Sequence, residues 1–411
     1  MTKTGVLCIL TEPIGQLLSN SNSMQDKILQ DTRDPERVAG RCLPASPVRR
    51  KRIREVRIGS VVIGGEHPVA VQSMTLTDTR DVKATVEQIH RLEDAGCEIV
   101  RVAVPDDEAA AALPAIKKAI HIPLVADIHF HYKLALKAID AGVDKIRINP
   151  GNLGGEERAK VVTRAAREAG IPMRVGVNSG SLEKEIVDKY GGPTPQGMVE
   201  SALGHLRFLE DEGFSNIVLS LKASNVPRMI EAYTLMREAC DYPLHLGVTE
   251  AGPPSTGIIK SAMGIGFLLM NGIGETLRVS LTADPVEEVR VGWEILKSLG
   301  LRSRGPMLVA CPSCGRCEVD LLELTAKVEK AITGIKKPLH IAVMGCVVNG
   351  PGEAREADLA VVGGKQKGML MKSGKIIATL PEEELIPALL EECEKFEVSE
   401  RPKGKAMVAG A

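Results

Sequence analysis

Between about Pro68 and Leu299 one pattern recurs eight times. A short run rich in β-branched residues ends in polar residues or Gly/Pro, and ten to twenty residues of helical periodicity follow. The runs are "PVAVQSMT", "EIVRVAVP", "PLVADIHF", "KIRINPG", "MRVGVNSG", "NIVLSLKAS", "PLHLGVTEAG" and "TLRVSLTADP". Their continuous apolar character marks strands buried on both faces, hence a parallel sheet. Eight strand–helix units in roughly 230 residues match a (β/α)8 TIM barrel. An open doubly wound sheet competes, but even spacing favours closure. "EVRIGSVVIGG", just ahead, reads as a hairpin that plugs one end.

Aromatics are only 2% of the 411 residues, so the core must come from Val, Ile, Leu, Ala and Met. A net charge of −1 and scarce aromatics argue against nucleic acid as a partner. No apolar run reaches the ~20 residues of a membrane helix. "GVLCILTEPIGQLL" is broken by Glu12 and Pro13, and the reading is a cytoplasmic protein. Residues 1–47 lack sustained periodicity and are read as a disordered extension, with Met24 as a second possible start. The basic run "RRKRIREVR" reads as a solvated lead-in to a strand.

The barrel is assigned to residues 48–302. After "SRGP" the composition changes, and residues 303–411 read as a smaller α+β domain. Its expected order is strand, cysteine loop, helix 318–333, strand "HIAVMG", cysteine loop, strand "ADLAVVGG", hairpin, and a helix near 382–397.

In barrels of this class, function sits where strands pass into the following loops. Those positions hold Gln72, Ser73, Arg101, Asp127, His129, Arg147, Asn149, Arg174, Asn178, Lys222, Glu250, Arg278 and Ser280. Five cations at one mouth repel one another unless an anion neutralises them. Forked guanidinium groups suit phosphate oxygens, so the mouth reads as a diphosphate site. Glu250, ending an apolar strand, is a candidate proton donor or acceptor, or an acid that orients an arginine. "ADIHFH" also offers Asp127, His129 and His131 as metal ligands, though the chain is already helical by His131. Lys222 is alternatively a Schiff-base lysine of an aldolase-type barrel, paired with a structural zinc domain.

"CPSCGRCE" puts Cys311, Cys314 and Cys317 into seven residues, and Cys346 follows in "MGCVVNGPGE". Nine cysteines in a reducing compartment indicate metal or catalysis more than disulfides. Iron–sulfur, zinc and free thiols all fit, and the glycine-rich distal loop favours iron–sulfur. Either Cys317 or Glu353 completes the ligand set.

"AVQSMT", "PLVADIHF", "RINPGN", "EERAKVV", "GVNSGSLEK", "GIGETLRVSLTADPVEEV", "CPSCGR" and "GCVVNGPGEA" together resemble the bacterial 4-hydroxy-3-methylbut-2-enyl diphosphate synthases, from about Arg49 to near residue 398. The resemblance implies reductive ring opening of 2-C-methyl-D-erythritol 2,4-cyclodiphosphate in the non-mevalonate isoprenoid pathway. It implies one [4Fe–4S] cluster per chain on Cys311, Cys314, Cys346 and Glu353, although Cys317 departs from the family pattern. It carries diphosphate binding onto Arg101, Arg147, Arg174, Asn178, Lys222, Arg278 and Ser280, with Asp127 and Asn149 at the same mouth. Glu250 becomes the acid near the reacting carbon and Asn349 an amide beside the cluster. Flavodoxin or ferredoxin is the implied electron donor, and a head-to-tail homodimer the implied assembly.

Overall fold

The computed structural model describes residues 53–129, 131–149 and 153–397; the expected extension at 1–47 lies outside them. The chain enters through a hairpin, β1 (Val56–Ile58) and β2 (Val61–Ile63), that turns at Gly59 with φ +54°. Val56, Ile58 and Ile63 pack against Ala70, Ile99, Val125 and Val218 near the starts of barrel strands. The hairpin is therefore the expected plug at the amino-terminal end.

Eight parallel strands follow: β3 (Ala70–Met74), β4 (Ile99–Ala103), β5 (Leu124–Asp127), β6 (Lys145–Ile148), β7 (Met173–Asn178), β8 (Ile217–Lys222), β9 (His245–Leu246) and β10 (Thr276–Leu277). Their order is β8-β7-β6-β5-β4-β3-β10-β9, and a parallel bridge between Leu219 and Leu244 joins the two edges. The sheet closes as the repeat count predicts. β9 and β10 are only two residues long, shorter than their apolar runs. A Cβ on Gly247 would sit 2.7 Å from the Arg278 carbonyl, so only glycine lets the two backbones approach this closely.

The outer layer is α1 (Val82–Ala95), α2 (Asp107–Ala119), α3 (Tyr132–Asp140), α4 (Glu156–Glu168), α5 (Lys184–Tyr190), α6 (Pro195–Asp211), α7 (Val226–Ala239), α8 (Pro254–Met270) and α9 (Pro285–Ser298). Side chains of Asp81, Asp106, Thr194, Asn225 and Asp284 accept first-turn N–H groups and fix where five of these helices begin. Outward strand residues such as Val100, Val102, Leu124, Ala126, Ile146, Ile148, Val175 and Leu219 form the core with the helices. Strand alternation then turns Arg101, Asp127, Lys145, Arg147, Arg174 and Lys222 to the barrel interior.

The second sheet comprises β11 (Met307–Ala310), β12 (His340–Met344), β13 (Leu359–Val362), β14 (Lys367–Lys372) and β15 (Lys375–Pro381). The first three pair in parallel and the last two in antiparallel fashion. α10 (Leu321–Ile332), the four-residue α11 (Gly350–Glu353) and α12 (Glu382–Lys395) complete it. α10 begins three residues later than expected because Asp320 accepts the Glu323 N–H and caps it.

Candidate active site

The interior of β4 to β8 is charged where a barrel is ordinarily apolar. Arg101, Asp127, Arg147, Arg174 and Lys222 are each at most 7% exposed. Arg147 Nη1 lies 3.1 Å from Asp127 Oδ1, and Arg101 Nε lies 3.5 Å from Asp127 Oδ2. His129 Nε2 stands 3.8 Å from the same carboxylate. Burial pushes the Asp127 carboxyl up, but Arg101, Arg147 and Arg174 outweigh it and hold it at about 2.

One carboxylate does not neutralise this cluster. Burial and the neighbouring arginines push Arg174 and Lys222 well below their ordinary values, and burial takes Arg101 to about 10. Each of those shifts reflects how strongly the empty site disfavours the charged form, a penalty that a bound anion relieves. Arg174 Nε and Nη1, Arg147 Nε and Gln72 Nε2 are buried without a hydrogen-bond partner. Buried donors left without a partner are costly, and a ligand's acceptors or water must satisfy them.

Arg278 belongs to the same field, because its charge acts on both Arg101 and Lys222. It is held by Glu288 of α9 through Nε at 3.2 Å and Nη2 at 3.3 Å. Glu288 also accepts from Ser73 Oγ and the Leu281 N–H, and Met74 Sδ accepts from Arg101 Nε at 3.1 Å. Sequence reasoning missed Glu288, which sits on a helix away from any strand end. It also missed the buried Lys145 and His245, which lie near strand starts. Lys145 Nζ donates to Gln72 Oε1 at 3.4 Å, and His245 Nδ1 meets Thr276 Oγ1 at 2.8 Å.

The other named positions fall around this centre. Asn178 pairs in register with Lys222 at the ends of β7 and β8, Asn149 is buried one residue past β6, and Ser280 is half-buried two residues after Arg278. Glu250 is placed differently from the expectation of a strand-end acid facing the arginines. It is exposed, four residues beyond β9, and holds φ +53°. His131 occupies the N-cap position of α3, and Asp127, His129 and His131 do not form a three-ligand group among the described residues.

The two cysteine loops leave the carboxyl ends of adjacent parallel strands. Cys311 follows β11 directly and donates its N–H to the Val343 carbonyl at 3.2 Å. Cys346 lies two residues past β12. The Asn349 N–H, with those of Val348 and Gly350, outweighs burial and lowers its thiol, which suits a thiolate ligand. Asn349 thus acts here through its backbone, its side chain being exposed. Cys314 and Glu353 are exposed beside these loops.

Cys317 differs from the other three. Its thiol donates to the Val319 carbonyl at 3.2 Å and stands against Gly345, while like Cys311 it packs on the apolar core of the second sheet. Among the described residues no three of these thiols and Glu353 lie within 4.8 Å of one another.

Residues 53–293 match the GcpE TIM-barrel domain and residues 307–395 the GcpE protein C-terminal domain. A relative from Caldanaerobacter subterraneus subsp. tengcongensis, "4-hydroxy-3-methylbut-2-en-1-yl diphosphate synthase (flavodoxin)", is 60% identical over 84% of this chain and 98% of its own. A relative of the same name from Nitratidesulfovibrio vulgaris is 56% identical over 87% of this chain and 93% of its own. With the barrel mouth and the cysteine loops both inside the matched ranges, the chain belongs to the GcpE family.

Proposed function

We propose that the chain reduces 2-C-methyl-D-erythritol 2,4-cyclodiphosphate to 4-hydroxy-3-methylbut-2-enyl diphosphate, with flavodoxin or ferredoxin as electron donor. The observation that carries this reading is the buried cation cluster with orphaned donors on Arg147 and Arg174. It supports a compact dianion as ligand, and relatives at 56–60% identity carry the name of this synthase.

The conversion breaks the C2–O bond to the diphosphate and the C3–OH bond and forms a double bond between the two carbons. Two electrons and two protons enter, and one water leaves. Arg101, Arg147, Arg174, Lys222 and Arg278 hold the diphosphate, with Asn149, Asn178 and Ser280 at the rim. Asp127 fixes Arg101 and Arg147, and Glu288 fixes Arg278, so the forks are set before the ligand arrives. Glu250 supplies a proton at the exposed side of the mouth, with His129 a second carrier.

Cys311, Cys314 and Cys346, with Glu353 as a weaker oxygen ligand, would hold one [4Fe–4S] cluster. When bound, it supplies single electrons and a Lewis-acidic iron. Residues 48–302 are thus the substrate domain and 303–411 the cluster domain of a cytoplasmic enzyme. No described helix is long and apolar enough to cross a membrane.

The homodimer reading has support on α8, where Ile259, Met263, Phe267 and Met270 form an exposed apolar stripe at helical spacing. Mixing inactive Glu250→Ala and Cys346→Ala chains tests a shared site: regained activity supports it, and none after subunit exchange opposes it.

Iron and acid-labile sulfide per chain, on protein purified without oxygen, test the whole reading. About four of each, with turnover of the cyclodiphosphate under a flavodoxin system, supports it. Zinc without sulfide overturns it and favours the Schiff-base alternative at the buried Lys222, which borohydride trapping would then reveal.

A further inference from the structure

We infer that His90, Glu93 and His121 form a binding site for a zinc-type divalent cation on the outer wall of the barrel, where α1 meets the turn between α2 and β5. His90 and Glu93 lie one helical turn apart on α1, and His121 stands on that turn. Their ligand atoms lie within 4.8 Å of one another. The two imidazole centroids are 5.7 Å apart with planes tilted by 31°. Two imidazoles sharing one tetrahedral ion at bonds of about 2.0–2.1 Å place their centroids roughly 5–6 Å apart.

Each donor is already oriented. His90 Nε2 lies 2.9 Å from the Ala119 carbonyl, which only accepts, so Nε2 carries the proton and Nδ1 keeps its lone pair. A ligating histidine characteristically spends its other N–H on such a carbonyl. Glu93 Oε1 accepts the N–H groups of His121 at 2.7 Å and Ile122 at 3.2 Å, which pins the carboxylate to the turn. Its Oε2 lies 2.9 Å from His121 Nδ1. An incoming cation displaces the one proton between Oε2 and Nδ1.

Two imidazoles and one carboxylate select Zn²⁺, Co²⁺, Ni²⁺ or Cu²⁺ over Mg²⁺ and Ca²⁺. The His121 side chain is 82% exposed, which leaves the fourth position open to water. Bound there, the ion ties α1 to the entry of β5 and staples two neighbouring strand–helix units. Nothing in the barrel mouth or the cysteine loops takes part, so the inference stands apart from the proposed reaction.

The test is calorimetric titration of ZnCl₂ into the cluster-loaded full chain, whose cluster-ligating cysteines are then occupied, with iron counted afterwards. The expected result is about one zinc per chain at unchanged iron content. In His121→Ala and Glu93→Gln, affinity should fall at least roughly tenfold. His121→Ala alters an exposed side chain, and the melting temperature without zinc checks that both variants fold. No saturable heat in the parent chain, or equal affinity in either folded variant, overturns the inference.

Discussion

Asp127 Oδ1 and Arg147 Nη1 lie 3.1 Å apart at the barrel mouth, and the same carboxylate faces Arg101 through its other oxygen at 3.5 Å. One acid thus holds apart two guanidinium groups that would otherwise repel each other. Removing one partner of a buried pair costs about 3–5 kcal/mol. Asp127→Asn should therefore melt several degrees below the parent chain. An anion that neutralises the arginines should recover much of that loss, so inorganic pyrophosphate should raise the melting temperature more in the variant than in the parent. Equal rises in thermal unfolding would show that Asp127 does not balance these charges.

Arg174 gives the opposite sign. Its Nε and Nη1 are buried without partners, and like charges surround it. Arg174→Met removes an uncompensated cation and should raise the melting temperature of the ligand-free protein. If the diphosphate satisfies both orphaned donors, each hydrogen bond to a charged group being worth about 1.5–3 kcal/mol, kcat/KM should fall at least roughly a hundredfold. Lower stability with retained kcat/KM would place the ligand elsewhere.

His245 makes stability depend on pH. Its ring is fully buried against Thr276, and burial, reinforced by Arg174, Lys222, Lys145 and Arg101, pushes its pKa well below the ordinary value. The folded chain therefore keeps it neutral, while the unfolded chain takes up a proton below about pH 6.5. Folding stability should fall as pH drops from about 7 to 5, by up to ~1.4 kcal/mol per unit from this group. His245→Asn, which retains a partner for Thr276, should flatten that slope by one proton in denaturant titrations. An unchanged slope would mean that the ring is protonated in the fold.

Cys317 tests the ligand assignment. Its thiol is tied to the Val319 carbonyl and packed in the second core. Cys317→Ala should cost about 1 kcal/mol of stability through the lost hydrogen bond and contact, and leave iron and sulfide content unchanged. Cys346→Ala should abolish both. Loss of cluster in Cys317→Ala would give Cys317 the role assigned to Glu353.

The barrel and most of the mouth were legible because a polar residue that ends an apolar strand has few places to go. Arg101, Asp127, Arg147, Arg174 and Lys222 announced themselves in that way. Lys145 did not, because "KIRI" shows its period-two alternation only once the inward face is known. Glu288 looked like one acid of an amphipathic helix, since nothing local shows that it reaches Arg278 across α9. The Asp320 cap was a three-residue matter that periodicity does not resolve. His90, Glu93 and His121 come from two separate segments and meet only when adjacent strand–helix units stack.

Glu250 departed furthest from expectation, and its backbone supplies the sharpest test. A glutamate at φ +53° is in left-handed territory, at a cost of roughly 1–2 kcal/mol that glycine avoids. Such strain concentrates where a side chain must be aimed. Glu250→Gly should therefore raise the melting temperature while lowering kcat, by roughly a hundredfold or more if the carboxyl moves a proton. Glu250→Gln keeps the strain and the shape and should lose the same activity without gaining stability. If Glu250→Gly is more stable and still turns over at the parent rate, the strain serves only the local turn after β9. The proton must then come from another group, with His129 next in line.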